Sequence, residues 1–216
     1  LVFFVSASVA HAEVKVNVTQ GSVEPLPIAI TTFYAGSAAA REIAQGLPQV
    51  VSADLERTGL FSPINPRAFI QDPISINEAG PRFGEWRAIN AQALITGSVT
   101  MDSDGKARVE FRLWDVFSQQ QLSGMAYTTT TQNWRRIAHI IADEIYKRVT
   151  GEDSYFDSRI VYVAESGPAQ GRVKRLAIMD QDGFNHHYLT DGRTLVLTPR
   201  FSPNQQKIAY MAYYNN

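Results

Sequence analysis

Cysteine is absent from the 216 residues. That excludes disulfide bridges, thiolate-bound zinc and a cysteine nucleophile. It does not decide between reducing and oxidising compartments. An excess of one charge is absent too: 20 Lys+Arg stand against 21 Asp+Glu, for a net charge of -1. A grip on nucleic acid needs clustered positive charge, and so does a polybasic membrane patch. No apolar run reaches the roughly 20 residues that span a bilayer. No G-x-S-x-G, G-x-G-x-x-G or P-loop pattern occurs, and no carboxylate spacing singles out an acid–base pair. What is present is a globular composition, 44% hydrophobic and 19% charged, at a length that suits one large domain or two small ones.

Both ends carry signals. Leu1 to Ala10 is apolar and uncharged, and Ala10-His11-Ala12 follows as a small-x-small tripeptide. This reads as the back half of a secretory signal with its charged start missing, cleaved after Ala12 to leave Glu13 as the mature N-terminus. His11 is then discarded. The chain starts at Leu rather than Met, and Lys207 to Asn216 reads as a strand entering a turn. Both features predict a fragment of a longer protein. From Glu13 to Thr19, Val14, Val16 and Val18 alternate with Lys15, Asn17 and Thr19, the period of a strand with one apolar face. Gly21-Ser22, Pro25 and Pro27 separate it from the next element. Two readings stand: an edge strand of the first domain, or a detachable strand able to add to another protein's sheet.

Pro27 to Phe33 reads as a buried strand. Ala38 to Ala44 and Leu47 to Leu55 read as helix broken around Gly46-Pro48, with Gly59 as its stop. Arg67 to Gln71 reads as a short strand and Phe83 to Asn90 as a short helix. Ala93 to Thr100, Lys106 to Phe117 and Gln120 to Thr131 form an antiparallel meander, turning first at Asp104-Gly105. Gln132 to Thr150 is the strongest helix. Asn133 stands at its N-cap, and Trp134, Ile137, Ala138, Ile141, Ile145 and Val149 form one stripe. The expected first domain is a sheet with helices on one face.

Beyond Phe156 helical periodicity ends. Strands are predicted at Arg159 to Ala164, Val173 to Met179, His187 to Thr190 and Lys207 to Ala212. The I-x-Y pattern at Ile160 returns at Ile208, a spacing close to the ~40–50 residues of a propeller blade. Asp180-Gln181-Asp182-Gly183 lacks the later ligands of an EF-hand and reads as a turn. His186 and His187, adjacent on a strand, point to opposite faces and cannot readily share a metal. His139 is expected to bond Asp143 one turn on. Trp86, Trp114 and Trp134 read as core anchors. Neither a metal nor a cofactor is expected.

Four stretches together resemble the TolB family, the periplasmic component of the Tol–Pal envelope system. They are Glu13-Val14-Lys15-Val16 after a signal, Asp54 to Phe61 (DLERTGLF), the helix-to-blade junction from Asp143 to Val163, and the blade pattern Met179-Asp180-x-Asp182-Gly183…Phe201-Ser202-Pro203-Asn204…Lys207-Ile208-Ala209-Tyr210. The family's W-S-P-D-G turn departs here to Phe201-Ser202-Pro203-Asn204-Gln205. The resemblance implies an α/β N-terminal domain, a mixed sheet packed with two main helices, then the truncated start of an all-β propeller that has six blades in the family. The implied layout is a signal remnant at 1–12, a partner-binding segment at 13–26, the α/β domain at 27–151, a linker at 152–158 and propeller from 159 to 216. It implies a non-catalytic periplasmic adaptor between Pal lipoprotein and TolA, supporting outer-membrane integrity and cell-division constriction, and exploited by colicins or phages. The TolA C-terminal domain would be held by Glu13, Val14, Lys15, Val16, Asn17, Val18, Thr19, Gln20, Gly21, Ser22, Val23 and Glu24. The alternative is a secreted propeller hydrolase with its catalytic residues beyond 216.

Overall fold

The computed structural model describes residues 24–214. They form two compact units that divide after Ser154.

The first unit is built on a mixed six-stranded sheet. Strand β1 (Leu26–Ile30) pairs in parallel with β3 (Phe61–Pro63) on one side and β4 (Ala93–Met101) on the other. Beyond β4 the order continues antiparallel through β5 (Ala107–Asp115) to β6 (Gln121–Thr129). The short β2 (Tyr34–Ala35) also pairs with β4. On β5 every second residue is buried: Ala107, Val109, Phe111, Leu113 and Asp115. That alternation directs one face of the meander to the core. The β4–β5 turn is organised by Asp102, whose Oδ1 accepts the N–H groups of Asp104 and Lys106 at 2.9 and 2.8 Å.

Helices α1 (Arg41–Arg57) and α4 (Trp134–Thr150) lie side by side. The stripe Ile137, Ala138, Ile141, Ile145 and Val149 is buried, and Gly151 closes α4 in the left-handed conformation, donating to the Lys147 carbonyl at 2.9 Å. Asn133 stands at the N-cap position, yet its side chain makes no capping bond.

The predicted break in α1 is corrected, for the helix runs unbroken through Gly46 and Pro48. Pro48 has no N–H for the Ala44 carbonyl, four residues back. The backbone N–H of Phe33 takes that place at 3.1 Å, so the carbonyl keeps a partner. Gly46 is there for close approach. A Cβ on it would stand 2.6 Å from the Trp134 ring, so the lack of a side chain lets α4 close onto α1.

Helices on one face alone is a second expectation the structure corrects. Two short helices, α2 (Pro73–Ala79) and α3 (Phe83–Ala88), contribute Ile76 and Trp86 to a separate buried cluster with Ala29, Ala91, Leu94 and Val116. Ala29 and Leu94 are register partners, as are Leu94 and Trp114. All three therefore share the sheet face opposite Ile28, Ile30 and Ile95. Nor is there a strand at Arg67 to Gln71. Pro66–Ala68 is a 3₁₀ turn with Asn65 Oδ1 accepting the Arg67 N–H at 3.0 Å. Gln71 is instead a buried clip. Its Nε2 donates to the Gly80 carbonyl at 2.8 Å, and its Oε1 accepts from the Arg82 N–H at 2.8 Å and from Trp86 Nε1 at 3.3 Å.

The second unit contains β7 (Arg159–Ser166), β8 (Val173–Asp180) and β9 (His187–Tyr188) as an antiparallel meander, and β10 (Leu195–Phe201) with β11 (Ile208–Tyr213) as a hairpin. Among the described residues its buried apolar positions are Phe156 ahead of β7, Leu176, Ala177 and Ile178 of β8 and Val196 of β10, while Leu195, Phe201, Tyr210, Met211 and Tyr213 are exposed. Asp180 to Gly183 is a turn, with Gly183 at φ 88° and its N–H bonded to the Asp180 carbonyl at 2.9 Å.

Gly97 of β4 faces the Phe33 ring, and a Cβ there would lie 2.5 Å both from that ring and from the Glu110 carbonyl oxygen. One obstacle is backbone, so it cannot swing aside. Gly97→Ala is expected to destabilise the first unit by about 1–3 kcal/mol, the usual cost of overpacking, measured by urea denaturation.

Candidate functional site

The predicted binding segment, Glu13 to Val23, lies outside the described residues, as do the Ala12/Glu13 cleavage point and the strand read at Glu13 to Thr19. Glu24 is described. It is exposed and unpaired in secondary structure, like Pro25, and the next residue, Leu26, is buried. The backbone explains this boundary. The Leu26 N–H donates to the Leu60 carbonyl at 2.9 Å, and the Pro27 carbonyl accepts from Gln92 at 2.9 Å. Ladder bonding therefore holds β1 from both sides at its first residues. Pro25 has no N–H and cannot extend the ladder toward the N-terminus on its donor side. Whatever precedes Glu24 joins the body through a residue that ends regular pairing.

One hollow in the first unit, about 660 Å³, runs along α1 past Gln45, Gln49, Ser52 and Glu56, with Pro63 and Asn65 also lining it. A second, about 370 Å³, is bounded by Tyr34, Arg41 and Asp72 to Ile74. The first mixes amide and hydroxyl groups with isoleucine, proline and alanine side chains. It can present hydrogen bonds.

Between α1 and α4 lies a buried polar contact that sequence reasoning placed differently. His139 Nδ1 turns across to Asp54 Oδ2 at 2.6 Å rather than along its own helix to Asp143, and Arg57 reaches Asp54 Oδ1 at 3.3 Å. His139 and Asp54 are 2% and 1% exposed. No local spacing links two residues this far apart in the chain. The one available signal was that Asp54 falls among the buried positions of the α1 stripe. His186 packs edge-on against Tyr188 with ring centroids 4.9 Å apart, while His187 Nδ1 donates to the Asn185 carbonyl at 2.9 Å. Trp86 is fully buried, and Trp114 donates to Thr96 Oγ1 at 3.0 Å.

Of the displaced titrations among the described residues, three belong to acidic groups of the first unit. The Asp72 carboxyl is held below its ordinary value, chiefly by the Ser75 N–H, with the Ile74 N–H assisting. Asp153 is lowered by its hydrogen bond from Lys147. Burial, and then the Glu144 charge, pushes the Tyr127 phenol upward.

The profile described as the TolB amino-terminal domain matches residues 14–122, and that of the TolB beta propeller domain matches residues 146–216. The chain belongs to the TolB family. The Tol-Pal system protein TolB of Paramagnetospirillum magneticum is 56% identical over 205 residues, covering 95% of this chain and 46% of its own length. The crystal structure of TolB from Acinetobacter baumannii superposes with a TM-score of 0.70 at 27% identity, covering 92% of this chain and 46% of that one. The chain thus spans about half the length of the TolB relatives it matches. Its α/β unit and its first propeller strands are those of a TolB-like architecture, and it is a Tol-Pal component by family.

Two predictions come from this geometry. Asp54→Ala removes the buried hydrogen bond to His139 Nδ1 and is expected to cost about 1–3 kcal/mol, with part recovered in the Asp54→Ala/His139→Leu double variant, read by denaturant titration. Asp72 has a folded pKa below its unfolded one. Its contribution to α2 is therefore present above the ordinary carboxylate pKa and is lost as pH falls below about 4 through the lowered value. Amide protection of Ile74 and Ser75 is expected to fall in that window, and Asp72→Asn to flatten the dependence.

Proposed function

We propose that the protein is a non-catalytic periplasmic adaptor, exported by a signal cleaved between Ala12 and Glu13. Its N-terminal segment, Glu13 to Glu24, binds the C-terminal domain of TolA. A Pal-type lipoprotein is held mainly by propeller blades of the kind begun at residue 159. The adaptor thereby links the outer-membrane lipoprotein to TolA and supports envelope integrity and constriction at division.

The observation that carries this reading is the anchoring of β1. Its pairing on both sides starts at Leu26, and Pro25 ends the ladder. In this reading the residues before Pro25 form a tethered segment that leaves the sheet of the α/β domain as it is. An alternating segment attached in that way can supply ladder hydrogen bonds to a partner's open sheet edge, with Val14, Val16 and Val18 giving side-chain specificity. Family membership supports the choice of partners, and a scaffold that only positions such a segment needs no reacting groups. In this reading residues 13–26 form the binding segment, 27–151 the α/β domain and 152–158 the linker.

The test is deletion of residues 13–24 from the mature protein. Binding to the TolA C-terminal domain, measured by calorimetry, is expected to vanish, while the thermal melt of the α/β domain stays in place. Undiminished TolA binding would sink the assignment.

A further inference from the structure

The two edges of the six-stranded sheet are finished differently. At one, β3 is three residues long and ends in Pro63. It offers little ladder, and its last residue lacks an N–H. At the other, β6 is nine residues long, from Gln121 to Thr129, with neither a charge nor a proline. Among the described residues, β5 is its one strand neighbour. Edges of that length and composition recruit further strands unless guarded. The guard here covers only the start: the register shifts beside Leu122, and Arg148 Nε donates to the Leu122 carbonyl at 2.9 Å. Beyond it, Gly124, Met125, Ala126 and Thr128 are exposed.

The flanks of this edge are unequal. On the sheet face away from α4, Gly124, Ala126 and Thr128 alternate, and such small side chains read little of an incoming strand. On the α4 side stand Met125 and Tyr127, joined by a phenol-to-sulfur contact of 3.0 Å, with the Tyr127 ring stacked on Phe111. Beside Tyr127 opens a hollow of about 310 Å³ whose walls carry the carboxylates of Asp143, Glu144 and Asp153 and one ammonium, Lys147. The raised Tyr127 phenol reflects burial and then the Glu144 charge.

We propose that β6 accepts an extended segment of another protein as a further strand, with apolar side chains over Met125 and Tyr127 and a lysine or arginine over the Asp143–Glu144–Asp153 hollow. The main-chain ladder would supply affinity, and the α4 side would supply the choice of side chains. A second copy of this chain fits less well. β6 has no cation to offer, and a two-fold pairing would set the carboxylates of α4 against those of its copy. The chain's own Glu13 to Thr19 is also a poorer donor. With Val14, Val16 and Val18 over Met125 and Tyr127, Lys15 falls on the opposite side of the strand, away from the carboxylates.

The probe is a blocked seven-residue peptide in which threonine alternates with valine, lysine and valine, titrated into the full chain. Saturable binding is expected, with slowed amide exchange at residues 124–128. Replacing the peptide lysine by glutamate is expected to weaken binding at least tenfold. Met125→Lys in the protein is expected to do the same. Met125 is 42% exposed, and a thermal melt checks that this variant folds. The peptide exchange leaves the protein untouched and decides the matter even if the variant unfolds. No saturable binding, protection elsewhere, or equal affinity for the glutamate peptide would overturn the proposal. So would protection of β6 in the free chain that disappears when residues 13–23 are deleted, which assigns the edge to the chain's own segment. A dimer dissociated by Met125→Lys assigns it to a second copy and overturns the proposal equally.

Discussion

The first unit depends on one five-residue strand that is buried on both faces and bonded along both borders. In β1, Ile28 and Ala29 are fully buried on opposite faces of the sheet, and β3 and β4 flank the strand in parallel. Such a strand needs a covering layer on each side, because apolar surface left on either face stays in water. The α1–α4 pair covers one face. The cluster around Ile76 and Trp86 covers the other. Even the proline inside α1 traces back to this strand: the N–H that satisfies the Ala44 carbonyl in front of Pro48 comes from Phe33, three residues beyond the end of β1.

The same constraint shapes the functional reading. A strand locked on both borders makes a firm anchor, and a proline immediately before it ends the ladder. In the proposed reading, the segment upstream engages its partner through bonds other than those that hold β1. The sheet meanwhile ends in a short edge that carries a proline and in a long, uncharged one. Each edge has a different capacity for accepting a strand, and that difference is written in side-chain chemistry rather than in topology.

Much of the architecture was legible because it repeats locally. The α4 stripe from Ile137 to Val149 and the alternation Val109, Phe111, Leu113 each declare an element and its buried face within one window, and the structure places both as read. The blade-like strands around Ile160 and Ile208 were legible for the same reason, while β10 was missed because Pro199 and Thr198 interrupt its pattern. The α2 start could have been found: Asp72 before Pro73 is an N-cap followed by a first-turn proline, and the Asp72 side chain does accept the Ile74 and Ser75 N–H groups. The sequence reading assigns no element to the segment carrying α2, because a helix this short shows barely two turns of periodicity.

By itself the sequence determined the class of the chain, the meander and the long C-terminal helix of the first unit. Each of these rests on interactions between residues a few positions apart, whose spacing is visible as a pattern. Only the tertiary structure decided that α1 runs through Gly46 and Pro48, that a second helical layer closes the far face, and that His139 meets Asp54. In all three the deciding partner is distant in sequence: Trp134 and Phe33 for the helix, Gln71 and Leu94 for the second layer, Asp54 on α1 for the histidine. A local penalty, whether a missing N–H or a polar group in an apolar stripe, says where a partner is needed. Chain folding alone brings that partner within a hydrogen bond's reach.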